Sequence, residues 1–301
     1  MKRCLIMVGT YNGEKYLREQ LDSILLQKNV EVHMMVADDC SIDDTVNILQ
    51  EYKRKYANFD YLINSANKNF TYNFLDLLFS VSDDYDYYAF SDQDDFWLEN
   101  KLNKAIEKIE STERKNSNGI LYCSNLIVAD SNLNKIGMQE DESVFKCNKN
   151  TFLYENIATG CTIVFDNAFK RHATKYYPQG IKLHDYWLFL IAAYTADYVY
   201  DFNAFILYRQ HGDNQIGTNK KKWTWKNIKK FIKFKGGQSK LAEELLIGYG
   251  EELNEEDRRK FIYLRDYKKK LSYKIKLMFS QKFRKRNHNV ILKMKLLFNK
   301  I

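Results

Sequence analysis

Through the first two-thirds of the chain, short apolar runs alternate with stretches whose apolar residues recur every three to four positions. Residues 3–8 form a compact apolar run suited to a central parallel strand. The turn-forming cluster Gly9-Thr10-Tyr11-Asn12-Gly13 then leads into 14–27, where Tyr16, Leu17, Leu21, Ile24 and Leu25 fall at helical spacing. Residues 30–37 are a second strand, ending in Asp38-Asp39-Cys40-Ser41. Asp43 or Asp44 next caps a helix running to Tyr56, with Val46, Ile48, Leu49 and Tyr52 on its buried face. A third strand at 61–63, a polar turn at 67–69 and a helical face of Phe74, Leu77, Leu78 and Val81 follow, before a fourth strand at 87–90. Further on, 120–129 and 159–165 read as buried strands, 188–193 as an apolar helical run and 204–208 as a strand. Strands alternating with helical patterns predict βαβ units and an α/β fold with a mostly parallel sheet. Ligands of such sheets gather at the carboxyl ends of the strands.

Three of those ends carry polar residues in turn: Thr10-Tyr11-Asn12, Asp38-Asp39, and the cluster from Asp92 to Asp95. The last is the densest, with Asp92, Asp94 and Asp95 packed into four positions at the end of the aromatic strand Tyr87-Tyr88-Ala89-Phe90. Folding gains nothing from crowding like charges, since each carboxylate makes the next harder to ionise. A divalent cation with hard oxygen ligands, Mg²⁺ or Mn²⁺, gives the cluster a purpose, and such ions keep positions open for substrate phosphates. The plainer alternative makes Asp95 a helix cap before Phe96-Trp97-Leu98. No glycine-rich phosphate loop follows the first strand, which leaves charge neutralisation to a metal. Asp185 or His184, ahead of the apolar helical run, is placed to cap that helix.

Val8-Gly9-Thr10-Tyr11-Asn12, the stretch from Val36 through Asp38-Asp39-Cys40-Ser41 to Thr45, and Ser91-Asp92-Gln93-Asp94-Asp95-Phe96-Trp97 occur in a specific order and spacing. In these motifs the chain resembles the family-2 glycosyltransferases of the GT-A fold, especially bacterial rhamnosyltransferase-like members, over about residues 3–217. The resemblance implies that Thr10, Tyr11, Asn12 and Asn73 belong to the nucleotide-sugar pocket and that Asp39 accepts a hydrogen bond from the pyrimidine ring. Asp92-Gln93-Asp94 corresponds to the family's DxD motif, holding ribose and metal, with Asp95 beside it. Asn69 stands where many relatives have glycine in the turn before Asn73-Phe74, and asparagine tolerates left-handed backbone angles better than most residues. Thr159-Gly160-Cys161 resembles the family's TGC segment beside the active site. Gly160 there either permits close approach of a sugar or is an ordinary strand bulge, and Cys161 reads as a packed small residue. Asp185 falls at the family's catalytic aspartate, a general base able to take the proton of a poorly nucleophilic sugar hydroxyl. Trp187 then either faces a sugar ring or fills the core. Gln210-His211-Gly212 resembles the QHG-type segment, which makes His211 a metal ligand with Asp94 and Asp95. Arg209 pairs with diphosphate oxygens or with a structural carboxylate. The implied activity is inverting, metal-dependent transfer of a sugar from a nucleoside-diphosphate donor to a glycan or lipid-linked acceptor in surface polysaccharide synthesis. The donor most consistent with the resemblance is dTDP-rhamnose, with UDP-sugars open.

Charge divides the chain. Residues 219–301 hold 25 Lys or Arg against 8 Asp or Glu, a net of +17, so residues 1–218 carry −9 of the overall +8. The expected organisation is a GT-A catalytic domain at 1–218, with a nucleotide-sugar half of about 1–100 and an acceptor half of about 101–218, followed by a basic helical tail at 219–301. Lysines alternate with Trp225, Ile228, Phe231 and Ile232, and basic-apolar segments recur at 263–279 and 283–298. That is the pattern of an interfacial helix on an anionic membrane; a solvated bundle packing on the catalytic domain is the alternative. Nucleic acid is not an expected partner, because no recognised nucleic-acid module accompanies the charge. The five cysteines are scattered without CxxC spacing, as in a reduced cytosolic protein. The apolar run after Met1-Lys2-Arg3 is too brief for a signal peptide, and no stretch is long enough to cross a bilayer. The expectation is a cytoplasmic protein, peripheral on the inner face of the cell membrane. Two rivals remain: a non-catalytic nucleotide-sugar or membrane-binding module, and a nucleotidyltransferase, for which Gly9-Thr10-Tyr11-Asn12-Gly13 is a poor nucleotide loop.

Overall fold

The computed structural model describes residues 1–143, 145, 148–211, 237–280 and 289–300. Gly212, the lysine-rich stretch with Trp225, Ile228, Phe231 and Ile232, and the expected boundary at 218/219 lie outside the described residues. Packing divides the chain into two units. The first comprises Met1–Phe145, Ala158–Tyr177 and Leu183–Asn214; the second comprises Lys146–Ile157, Pro178–Lys182 and Gln215–Ile301.

The first unit is built on a sheet of nine strands among the described residues: β1 (Lys2–Thr10), β2 (Val30–Asp38), β3 (Phe59–Ile63), β4 (Tyr87–Ser91), β5 (Phe96–Trp97), β6 (Ile120–Ala129), β7 (Lys135–Met138), β8 (Val164–Asp166) and β9 (Asp197–Arg209). Their order is β3-β2-β1-β4-β8-β6-β9-β5, with β7 paired to β6. The expected βαβ units form the parallel ladder β3-β2-β1-β4. Beyond β4 the sheet is mixed: β8 runs antiparallel to both β4 and β6, β6 and β9 are parallel with two register shifts, and β5 is antiparallel to β9.

Register fixes where chemistry can occur. Thr10 pairs with Asp38 and Val8 with Ser91, so β1, β2 and β4 end at nearly the same level and open their loops on one side. β1 is buried on both faces, as its unbroken apolar run requires. Cys4, Ile6 and Val8 pack with Leu17, Leu21 and Ile24 of α1 (Leu17–Leu25), Ile48 and Leu49 of α2 (Thr45–Lys55), and Leu102 and Ile106 of α4 (Lys101–Ser111). Met7 and its partner Phe90 face the other way by strand alternation. There Phe74 of α3 (Phe70–Ser80) meets Phe90 edge-on, at 5.4 Å between ring centroids.

Two local expectations give way to tertiary structure. Residues 159–165 are not one strand: Gly160–Thr162 makes a 3₁₀ turn, with the Ile163 amide donating to Gly160 O at 3.0 Å, and β8 begins only at Val164. Asp95 does not cap a helix, because Phe96 and Trp97 form β5 against Leu207 and Ile206 of β9, and α4 starts at Lys101 after Asn100. Asn69 adopts φ +68° at the N-cap of α3 and accepts the Thr71 amide at 3.1 Å. Helix α5 (Asn167–Ala173) follows β8. Helix α6 (His184–Thr195) is apolar all round, and Asp185 alone of its twelve residues is not buried.

The second unit contains α7 (Gln238–Tyr249), α8 (Glu255–Asp266), α9 (Leu271–Phe279) and α10 (Asn289–Leu297). Leu241, Ala242, Leu245 and Tyr249 of α7 are buried, as are Phe261 and Leu264 of α8. Asn254 caps α8 by accepting the Asp257 amide at 2.9 Å, and acidic Glu255, Glu256 and Asp257 suit the positive helix start. The unit takes in two segments from earlier in the chain: Lys149 pairs with Asp257 at 2.9 Å, and the Gln179 amide donates to Glu244 at 2.7 Å.

Candidate functional site

The site begins at the tip of β1. Gln93, between two of the clustered carboxylates, turns its amide onto this tip. Its Oε1 accepts from Thr10 Oγ1 and from the Tyr11 amide, both at 2.7 Å, and its Nε2 donates to Tyr11 O at 3.1 Å. Any side chain at Gly13 would collide with that amide, because an added Cβ would lie 2.5 Å from Gln93 Oε1. The ring of Tyr11 is left 44% exposed. Asn12, at φ +49°, joins the β1 and β2 loops: its amide donates to Ser41 Oγ and its Oδ1 accepts the Ile42 amide.

At the tip of β2, the Asp39 amide donates to Thr10 O at 2.8 Å, so a chain of hydrogen bonds runs from Asp39 through Thr10 to Gln93. The Asp39 carboxylate takes the Lys68 amide and Asn64 Nδ2 on Oδ1, and among the described residues no hydrogen bond reaches Oδ2. Asn73 is placed behind this loop. It is buried, with Nδ2 donating to Ala37 O at 2.9 Å and Oδ1 accepting from Asn64 at 2.8 Å, so it braces α3 to β2 instead of lining a pocket.

The carboxylates after β4 divide by environment. Asp92 is part exposed, and burial with the nearby charges of Asp94 and Asp185 raises its carboxyl to about 7. Asp94 Oδ2 meets His211 Nε2 at 2.8 Å. Asp95 is fully buried: Oδ1 accepts the Arg209 amide at 3.1 Å, among the described residues no hydrogen bond reaches Oδ2, and burial with Asp94 and Asp92 holds its proton well above the usual carboxylate range. Ligand atoms of Asp92, Asp95 and Cys161 lie within 4.8 Å of one another. Burial pushes the Cys161 thiol well up, so it keeps its proton and adds no soft ligand. The remaining donors of that group are the carboxylate oxygens of Asp92 and Asp95, hard ligands that fit Mg²⁺ or Mn²⁺, while His211 pairs with Asp94 outside it.

Arg209 takes the structural of its two expected roles. Its Nε donates to Asp94 O at 2.8 Å, Nη1 to Ser131 O at 2.7 Å, and Nη2 pairs with Glu19. The guanidinium also lies 4.4 Å over the ring of Tyr16, which in turn sits 5.0 Å from the His211 ring. Lys101 is buried with Nζ 3.5 Å over the Trp97 ring and no hydrogen-bond partner among the described residues, and burial lowers it to about 8.

On the opposite wall, the first turn of α6 presents Asp185. Its Oδ1 accepts the Tyr186 amide at 2.6 Å and its Oδ2 accepts the Gly160 amide at 3.1 Å, so two backbone donors aim the carboxylate. Gly160 packs closely here, since a Cβ there would lie 3.2 Å from His184 Nε2 and the imidazole would have to give by a few tenths of an ångström. His184 caps nothing: Leu183 is the N-cap, and the imidazole stacks on Phe74 at 4.3 Å with neither nitrogen hydrogen-bonded among the described residues. Burial lowers it to about 3, and it stays neutral. Trp187 is fully buried, so it fills the core and offers no face to a sugar. Asp92, Asp94, Asp185, Gly160 and His211 are therefore held near one another, with Thr10, Tyr11, Asn12 and Asp39 joined to them through Gln93. The Gln93 clamp and the buried Lys101 carried no spacing signal; the first depends on partners more than 80 positions away and the second on burial.

The profile of glycosyl transferase family 2 matches residues 5–175. The chain is 31% identical over 268 residues to the dTDP-rhamnosyl transferase RfbG of Shigella flexneri, an alignment covering 80% of this chain and 89% of that one. It is 40% identical over 57 residues, 18% of this chain and 10% of the other, to the poly(ribitol-phosphate) beta-N-acetylglucosaminyltransferase TarS of Staphylococcus aureus. Among solved structures, TarS 1–349 in complex with UDP-GlcNAc matches with a TM-score of 0.59 at 20% identity, over 94% of this chain and 78% of that chain. GalNAc-T7 with UDP, GalNAc and Mn²⁺ matches with a TM-score of 0.53 at 10% identity, over 71% and 45%. At such identities the structural likenesses speak to the fold, which is GT-A.

Proposed function

The chain belongs to glycosyl transferase family 2, and on that premise we propose that it is an inverting, divalent-cation-dependent enzyme moving rhamnose from dTDP-rhamnose to a glycan or lipid-linked acceptor of a surface polysaccharide. One observation carries the reading: the aligned tips of β1, β2 and β4 bring a carboxylate cluster up to Asp185, the single unburied residue of α6. The likeness to a dTDP-rhamnosyl transferase supports the donor.

Thr10, Tyr11 and Asn12 border the nucleotide, and the unoccupied Oδ2 of Asp39 is a ready acceptor for a pyrimidine N–H. Asp92 takes the ribose, and Asp94, Asp95 Oδ2 and His211 would hold Mg²⁺ or Mn²⁺. The chemistry that cation supplies when bound is neutralisation of the diphosphate charge. Asp185 accepts the proton of an acceptor hydroxyl while that oxygen bonds to the anomeric carbon. The bond from that carbon to the diphosphate breaks, the nucleoside diphosphate departs with the electron pair, and the centre inverts once. The two backbone amides on Asp185 stabilise its ionised form and fix its direction.

Asp185→Asn and Asp94→Asn should each lower transfer by about 10²-fold or more with the fold intact by circular dichroism. Near-normal transfer in both variants would remove the assignment. Donor hydrolysis by the purified protein separates an enzyme from a pure binder, which releases no nucleoside diphosphate.

A further inference from the structure

The last two helices are apolar on two faces. In α9, Leu277 is buried, whereas Leu271, Ile275 and Phe279 are exposed, with Leu271 at 70% and Phe279 at 79%. Spaced by four, these three advance only a little around the helix per step and so make one outward stripe. In α10, Leu292 and Leu296 are buried, whereas Val290, Met294 and Leu297 are exposed, together with Phe298 just beyond the helix end. Their spacing of four, three and one again defines a single outward stripe. Lysines border both: Lys274 and Lys276 flank Ile275, and Lys293 and Lys295 flank Met294. Lys274 Nζ also donates to Leu297 O at 3.1 Å, which ties the two helices together where the stripes run.

We infer that the outward faces of α9 and α10 dock on the surface of an anionic lipid bilayer. Apolar side chains left in water lose the free energy of burial, so a face this apolar on a folded unit calls for an occupant. Charge selects which one. From Tyr267 to Ile301 the chain carries twelve Lys or Arg and no Asp or Glu. A second copy seated on this face would set like charge against like charge, whereas anionic headgroups complement it. The flanking lysines suit a bilayer in a second way, since their stems lie along acyl chains while the ammonium groups reach the headgroups. Neither helix is long enough to cross a membrane, and no described helix is. The contact is in the plane of the surface. It deepens the reading of a lipid-linked acceptor given above by naming the surface that would bring the enzyme to it, and lipid binding can be measured apart from sugar transfer.

The test uses the full chain, vesicles of phosphatidylcholine with and without phosphatidylglycerol, and the variant Leu271→Ser/Ile275→Ser/Phe279→Ser. The wild type should sediment with the anionic vesicles and not with the neutral ones, and high salt should release it. The variant should partition about tenfold less strongly, with an unchanged melting temperature because the replaced side chains are exposed. Its transfer to a water-soluble acceptor should be unaffected. Equal binding to both vesicles, no binding to either, or an undiminished variant would overturn the inference. So would a wild-type dimer in solution that the three substitutions convert to monomer, which would assign the face to a second copy. Loss of transfer activity with vesicle binding intact would instead count against the enzymatic reading alone.

Discussion

Gln93 spends its amide on the β1 loop, holding Thr10 and Tyr11 against the carboxylate cluster. Gln93→Ala therefore loosens the nucleotide end of the site while leaving Asp185 in place. Donor KM should rise about 30-fold, the loss of two hydrogen bonds at about 1 kcal/mol each, with kcat little changed. Steady-state kinetics separates that outcome from a general loss of fold, which would lower the active fraction and leave KM alone. Asp92 makes a prediction of a different kind. Unfolded, its carboxyl ionises near 3.8; folded, burial and its acidic neighbours hold the proton to about 7. Between those values the folded chain binds more protons than the unfolded one. The contribution to stability is thus full below about pH 4 and lost as pH rises through 7. With chelator present, the free energy of unfolding in denaturant should climb as pH is lowered from about 8 to about 6, by on the order of 1 kcal/mol, and Asp92→Asn should flatten that climb.

Among elements, a tight fit joins α3 to the tip of β1. A Cβ on Gly9 would lie 2.7 Å from the Phe74 ring, and that ring is wedged between Phe90 and His184. Gly9→Ala should cost about 1–3 kcal/mol in denaturant unfolding, because no flexible side chain is there to yield. Arg209→Met removes a guanidinium that holds Asp94 O, Ser131 O and Glu19 at once. It should destabilise by about 3 kcal/mol and weaken Mn²⁺ affinity as the Asp94 loop drifts, which calorimetry with the metal alone would register. Much at this scale was legible in the sequence. Residues 3–8, 30–37, 61–63 and 87–90 announce the parallel ladder because each is an apolar run bounded by turn residues, and Asn69 takes the positive φ its side chain tolerates. What escaped depends on the third dimension. The apolar pattern of 159–165 conceals a 3₁₀ turn made by Thr159 and Gly160 carbonyls. Trp187 looks the same in sequence whether it faces a sugar or, as found, the core. The ladder continues past β4 in mixed directions because β8 and β5 are short antiparallel inserts of two or three residues, below the length at which periodicity speaks.

For the whole molecule, opposite net charges fall on different stretches of the chain, −9 before residue 219 and +17 from there on. The acidic part carries the site, so an anionic donor approaches a negative surround until a cation offsets it. Nucleotide sugars should therefore raise the melting temperature little alone and clearly with Mn²⁺ or Mg²⁺. At about 100 times Kd the gain is about 2.7 kcal/mol, or about 4–5 °C for a chain of this size. A panel of dTDP- and UDP-sugars read this way identifies the donor. If dTDP-rhamnose gives no shift where a UDP-sugar does, the rhamnosyl assignment gives way and the cation-dependent site stands.

Helix α6 carries one polar side chain to the surface from a shaft walled in by apolar neighbours on every other side. The proposed base is thereby bolted to the scaffold and not carried on a loop. Natural or engineered changes of acceptor must consequently come from what lies around Asp185; moving the carboxylate itself would mean shifting a helix whose other eleven residues are packed in place.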